Sequence, residues 1–152
     1  MALHKNGIIV IGAVFVDIKG FPEGIYLPTG RNAGKIKYVH GGVSRNVVED
    51  IANIELRPTF LGIVDDSALG GDVIRKLQNH KVNTEYMRTI PNGMGTWLAV
   101  FDHNGDLAGS VSQRPNLMPI LDILEEKGDE IFAEADSVVV EVDIDKEIVK
   151  KV

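Results

Sequence analysis

Along the chain, short runs of wholly apolar residues alternate with longer stretches whose apolar positions recur at helical spacing. "GIIVIGAV" (Gly7 to Val14) is continuous and rich in β-branched residues, the pattern of a strand covered on both faces in a parallel sheet. From Lys19 to Val39 the chain turns polar and carries four glycines and two prolines. Its pieces "GIYL" and "KIKYV" are expected as edge strands of a small side sheet. Gly41 to Leu56 reads as an amphipathic helix with Val47, Val48, Ile51, Ala52 and Ile54 on its apolar side. "PTFLGIV" (Pro58 to Val64) predicts the next buried strand. A second helix follows, with Ser67 as N-cap and Leu69, Val73, Ile74 and Leu77 close to the 3.6-residue period.

Beyond these, "GTWLAVFDHNGDLAGSVS" predicts a hairpin, with Asn104-Gly105 supplying the positive φ values of a two-residue type I′ turn. "PNLMPILDILEEKGDEIFAEA" is helical, in one piece or in two parted near Gly128. "SVVVEVDI" (Ser137 to Ile144) predicts another buried strand, and "DKEIVKKV" opens a helix capped by Asp145, where the sequence stops. A chain ending there, straight after a core strand, is expected to be an unfinished domain. The alternation implies a three-layer, Rossmann-like α/β fold on a parallel sheet, with an antiparallel insertion to one side. In such sheets ligands bind beyond the carboxyl ends of the strands. That rule places Asp17, Gly41-Gly42, Asp65-Asp66 and the Glu141 region on one edge.

Composition narrows the function classes. The 152 residues suit one domain or a lobe of a larger one, long enough to bury roughly 70% of the unfolded surface. A net charge of -6, without a dense Lys/Arg stripe, argues against a nucleic-acid partner. The absence of cysteine excludes disulfides and thiolate metal sites and fits a reducing compartment. The apolar run from Gly7 to Val16 is about ten residues, too short to span a bilayer, so no membrane partner and a cytoplasmic location are expected.

Three positions carry candidate chemistry. In Gly41-Gly42-x-x-x-Asn46, two residues without Cβ let a ligand approach the main chain at a helix start whose N–H groups are unpaired. Asn46 can both donate and accept, as neutral hydroxyls require. A Gly-Gly turn with Asn46 as a local cap is the competing reading. Asp17, just past the first strand, is a carboxylate able to grip two neighbouring hydroxyls, or else a solvated strand-end residue. Glu141 interrupts "VVVEVDI", where a charge is costly unless it is paired, points into a cleft or meets water. Other signals fail. "GRNAGKI" lacks the spacing and the Ser/Thr of a P-loop, and "DHNGD" is too short for a calcium loop. His4, His40, His80 and His103 are scattered without metal-ligand pairs, and His40 is expected at the surface or in packing.

Taken in order, "VIGAVFVD", "GGVSRNVVEDIANI", "PTFLGIVDDSALGGDVIRKLQNHKV" and "GTWLAVFDHNGDL" resemble the ribokinase-like (PfkB) family of carbohydrate and nucleoside kinases, over its amino-terminal half. Asp65 stands where the second motif usually has Gly, and "GGVSRN" is most similar to the pseudouridine kinase branch. The resemblance implies that Asp17, Gly41, Gly42, Asn46 and Glu141 bind substrate hydroxyls. It implies that segments near 18–40 and 95–112 form a β lid that closes over substrate and pairs two copies. It also implies ATP and Mg²⁺ as cofactors of the full-length parent, with neither expected to bind this chain alone. The family's later Asn-x-x-Glu motif and Gly-Ala-Gly-Asp box, which supplies the general base and anion hole, have no counterpart here. "NVVE" (Asn46 to Glu49) lies on a different helix. Because such groups contribute about 10²–10⁴ each in rate, the chain alone is expected to phosphorylate nothing. Its expected role is the substrate-and-lid part of a sugar or nucleoside kinase. A short non-catalytic sugar-binding or lid-pairing module is the alternative. A Rossmann oxidoreductase is disfavoured because no Gly-x-Gly-x-x-Gly follows the first strand.

Overall fold

The computed structural model describes residues 7–152; residues 1–6, His4 among them, lie outside the described residues. In chain order the elements are β1 (Ile8–Ile11), β2 (Phe15–Pro22), β3 (Gly34–Gly41), α1 (Val43–Asn53), β4 (Thr59–Leu61), β5 (Ile63–Val64), α2 (Ala68–Asn79), β6 (Arg88–Thr89), β7 (Gly95–Phe101), β8 (Leu107–Gln113), α3 (Pro119–Phe132), β9 (Ser137–Val140) and α4 (Lys146–Lys151). β1 is the centre of a parallel sheet of order β4-β1-β9, with Ile9 opposite both Thr59 and Val138. Alternate side chains of β1 feed two cores. Ile9 and Ile11 pack with Leu61, Ile63 and the α3–α4 residues Ile120, Ile123, Leu124 and Ile148. Val10 joins Val48 of α1, Phe60, and Val73 and Leu77 of α2 on the other side. The result is the three-layer α/β arrangement expected from the alternation of strands and helices.

The remaining strands form a four-stranded side sheet of order β3-β2-β7-β8. Two of its pairs are antiparallel, and a parallel pairing of β2 with β7 joins them. β2 departs from the expected pattern. "GIYL" is a loop rather than a strand, and the strand lies earlier, at Phe15–Pro22. Its signal is the alternation Val16-Asp17-Ile18-Lys19, which the glycine-rich run downstream obscures. Leu27 finds its main-chain partners locally: Asn32 Oδ1 accepts from the Leu27 N–H at 2.8 Å, and the Leu27 carbonyl accepts from Asn32 Nδ2 at 2.9 Å and from the Gly30 N–H at 3.1 Å. That local satisfaction removes any need for a ladder.

Other differences have equally local causes. "PTFLGIV" is broken at Gly62, where a Cβ would stand 2.7 Å from Phe60 Cε1, and β5 leaves the main sheet to pair with β6. The hairpin between β7 and β8 forms, but not through a type I′ turn. Asp102 N–H bonds to the Asp106 carbonyl at 2.8 Å and Gly105 N–H to the Asp102 carbonyl at 3.1 Å. Only Gly105 of this loop has positive φ (89°), the pattern of a three-residue connection. α3 runs unbroken through Gly128, which faces open space, while Ile120, Ile123, Leu124 and Ile131 anchor it. Their burial outweighs the roughly 1 kcal/mol that glycine costs in a helix. Ile54 lies past the end of α1, 69% exposed, rather than on its apolar side. Ser67 does cap α2, accepting from the Gly70 N–H, whereas Asp145 stands at the start of α4 without a side-chain cap bond.

Phe60 is fully buried between the sheet and α1–α2. Phe60→Ala is expected to destabilise the fold by about 3–5 kcal/mol. The check is the urea midpoint at an unchanged m-value.

Candidate functional site

At the carboxyl end of the parallel sheet, β1 is followed by Gly12. A Cβ there would lie 2.0 Å from Ser44 Oγ and 2.5 Å from Glu141 Oε2. The bare glycine therefore leaves room for these two side chains to meet over the main chain. Glu141 Oε2 accepts from the Ala13 N–H at 3.0 Å and from the Ser44 hydroxyl at 2.9 Å. Glu141 was expected inside a buried strand; β9 is instead exposed to half-buried, as an edge strand is, and ends at Val140, so that Glu141 starts the following loop with its carboxylate turned back across the sheet end. No hydrogen bond engages its other oxygen among the described residues. The cost of a charge at this place is met by hydrogen bonds.

Asp17 does not follow a strand but lies within β2, opposite Val39 of β3 and Trp97 of β7. Its carboxylate lies over the Gly41 Cα: a Cβ on Gly41 would stand 2.5 Å from Asp17 Oδ1. Lys19, next on the same face, places Nζ 3.4 Å from Asp17 Oδ2 and 5.7 Å from the centre of the Trp97 ring. Gly42 serves a different end. Its φ is 99°, and a Cβ would meet the Ala13 carbonyl at 2.5 Å. It is the N-cap of α1 and brings no side-chain cap, so the N–H groups of the first turn stay open.

Behind that turn stands a charged cluster. Arg45 is only 5% exposed; its Nη1 meets Glu49 Oε2 at 2.6 Å and its Nη2 meets Asn46 Oδ1 at 2.5 Å. Glu49 also receives Lys76 of α2 at 2.9 Å, with His80 at 3.8 Å. Burial raises the Glu49 pKa, but the Lys76 hydrogen bond and the Arg45 charge outweigh it and hold the carboxyl below its ordinary range. For His40, burial and then the charges of Arg45 and Lys76 push the imidazole below its ordinary value, so its neutral form is favoured.

One cleft of about 900 Å³ brings these groups together, with Phe15, Asp17, Lys19, Gly41, Gly42, Arg45, Asn46, Lys76, Glu141 and Asp143 among its lining. It also takes in the run Tyr38–His40, and so wraps round β3, the edge strand of the side sheet. The five expected residues Asp17, Gly41, Gly42, Asn46 and Glu141 all line it. Asp65 and Asp66 do not. Asp65 is instead spent on the start of α2, where its Oδ1 accepts from the Ser67 N–H and hydroxyl. His40 is half-buried and lines the cleft. Gly12, Ser44, Arg45 and Lys76 are additions. Ser44 and Arg45 lie between the glycine pair and Asn46, but neither residue type marks itself there, and nothing local marks Lys76.

The sequence and the fold have counterparts among known proteins. A family model described as pfkB family carbohydrate kinase matches residues 5–152. The guanosine-inosine kinase of Exiguobacterium acetylicum is 30% identical over 147 residues, which cover 96% of this chain and 48% of that protein. The pseudouridine kinase of Escherichia coli (strain K12) is 22% identical over 110 residues, 72% of this chain and 35% of its own. In fold, the structure of Arabidopsis thaliana ribokinase complexed with ribose and ATP superposes with a TM-score of 0.74 at 16% identity, over 95% of this chain and 49% of that one. The chain thus spans about half the length, or less, of the curated relatives it matches.

His40 is expected to titrate with a midpoint below 6.5, followed by NMR of its imidazole, and Lys76→Met should raise that midpoint. Because the folded chain takes up this proton later than the unfolded one, the effect of His40 on stability has a definite sign. Stability is undiminished above pH 6.5 and declines as pH falls from there toward the lowered folded value. A midpoint at or above 6.5 would refute the environment described.

Proposed function

The chain belongs to the pfkB family of carbohydrate kinases, and on that premise we propose that residues 1–152 are the amino-terminal, substrate-binding part of an ATP-dependent sugar or nucleoside kinase. The observation that carries this reading is the single cleft in which Asp17, the Gly41-Gly42 pair, Asn46 and Glu141 stand together. Asp17 accepts from ligand hydroxyls, and the free oxygen of Glu141 offers a second acceptor. The glycines let a sugar touch the main chain at the open start of α1, where N–H groups favour oxygen ligands. The relatives named for guanosine, inosine and pseudouridine favour a nucleoside. The exposed apolar surfaces of Val39 and Val43 at the cleft suit a base. Nucleic acid and membrane are not proposed partners: the net charge is -6, and no helix of the described residues is long and apolar enough to cross a membrane. The cytoplasm is the proposed setting.

ATP and Mg²⁺ are assigned to the parent kinase and not to this chain. The sequence holds no Gly-Ala-Gly-Asp box, and among the described residues no three His, Asp or Glu side chains stand together as a metal site. No transfer step is therefore placed on these residues, and the chain alone is proposed to be inactive.

The side sheet supports a second role, as a lid that pairs two copies; a non-catalytic binding or dimerisation module is the alternative to the kinase reading. Ile36 and Tyr38 of β3, Leu98 of β7 and Val111 of β8 fall on one face of that sheet by register. They are 68%, 61%, 46% and 70% exposed, an apolar stripe suited to a second copy of itself.

Two measurements test the proposal. Calorimetry with inosine, pseudouridine and ribose should show binding of at least one, weakened about tenfold or more by Asp17→Ala at unchanged melting temperature. Intact binding in that variant, or ATP-dependent phosphorylation that tracks the chain through purification, would overturn the assignment. Light scattering should report a dimer that Leu98→Lys/Val111→Lys converts to monomer; a monomeric parent chain at high concentration would remove the pairing role.

A further inference from the structure

We infer that Arg45 is a positioning residue that fixes the orientation of the Asn46 amide and so sets which ligand groups the cleft accepts; the inference rests on the hydroxyl-binding reading above. A guanidinium carries donors only. The atom of Asn46 that meets Arg45 Nη2 at 2.5 Å must therefore be the carbonyl oxygen, which removes the usual ambiguity between the two ends of an amide. What Asn46 then offers the cleft is its NH₂ group, which has no hydrogen-bond partner among the described residues. Asn46 can both donate and accept in isolation; beside Arg45 it is a donor.

The guanidinium is held in place from the other side. Glu49 grips Nη1 at 2.6 Å and is itself tied to Lys76 of α2 at 2.9 Å, so Arg45 cannot turn away from Asn46 without breaking that pair. Its Nε is buried with no hydrogen-bond partner. A buried donor left unpaired is unfavourable. A lysine would satisfy Glu49 without that defect, but only a planar fork can hold a carboxylate with one nitrogen and an amide oxygen with the other. The arrangement is explained if the contact to Asn46 is what the position is for.

The consequence is a cleft of split polarity. Asp17 only accepts, and Asn46 as oriented only donates. A hydroxyl satisfies either, a keto oxygen or unprotonated ring nitrogen suits Asn46, and a group with hydrogens but no available lone pair is refused there. The ligand class is thus a polyol or nucleoside that presents a lone pair to Asn46.

The test has two arms on the full chain. In ¹H–¹⁵N spectra the Asn46 side-chain NH₂, identified by its loss in Asn46→Ala, should shift and lose its fixed environment in Arg45→Met and in Arg45→Lys. With inosine and pseudouridine as probes, each of Arg45→Met and Asn46→Ala should weaken binding about tenfold. The double variant should be no more than threefold worse than Asn46→Ala alone, because the two residues act as one unit. Arg45→Lys keeps charge and stem and should fold as the parent does, yet bind as weakly as Arg45→Met. Multiplying losses, parent-like binding by Arg45→Lys, or unchanged Asn46 resonances in both Arg45 variants would overturn the inference. If the parent chain binds neither nucleoside, the functional reading falls, and the Asn46 resonances alone decide the role of Arg45.

Discussion

One carboxylate oxygen organises the carboxyl end of the main sheet. Glu141 Oε2 takes hydrogen bonds from the Ala13 N–H, just past β1, and from Ser44 in the first turn of α1. The chain after β9, the turn leaving β1 and the start of α1 are thereby held at one point, although Glu141 is 128 residues from Ala13 and 97 from Ser44. The contact exists because position 12 has no side chain. It also explains how a charge can stand just past β9 at the rim of the cleft: the oxygen turned across the sheet end is paired twice. With α1 held there, Gly42 can enter the helix uncapped and leave its N–H groups facing the space over Gly41.

A second constraint stands behind the first. Arg45, Glu49 and Lys76 bind α1 to α2 through charge, and the two cations bear on His40 as well as on Glu49. Truncating one member of a buried charged group leaves its partner with an unmet desolvation cost, so the contacts of Arg45 and Glu49 resist being broken. The cleft therefore has a stiff floor on the α1 side and an open rim at the edge strand β3. His40, near the end of β3, is on that rim, where burial and the two cations favour its neutral form.

Much of this was legible in the sequence. The apolar runs of β1 and β4 and the periodicities of α1 and α2 followed from burial alone, and Ser67 announced the start of α2 through the side-chain bond it makes. Where expectation and structure part, long-range contact outweighed local pattern. β2 is a strand because β3 and β7 both pair with it, which no window around Phe15–Pro22 contains. Gly62 ends a strand because Phe60 folds back on it. Asp65 looked like a cleft residue but is consumed by the start of α2. In the cleft the glycines, Asp17 and Asn46 could be named because their residue types are restrictive. Arg45 and Lys76 could not, since a basic residue on a helix usually faces water and only the fold shows that Arg45 does not.

Three of the four chain crossings between the side sheet and the main domain pass through a glycine: Gly12 between β1 and β2, Gly42 between β3 and α1, and Gly93 before β7. At each, an added Cβ would stand within 2.5 Å of a neighbouring atom. Glycine serves here as a thin washer rather than a loose joint, leaving these crossings without slack. Asp17 lies on the side-sheet side of that boundary and Asn46 on the other. Any tilt of the sheet consequently changes the gap between acceptor and donor directly, so the width of the jaw is geared to the angle of the plate above it.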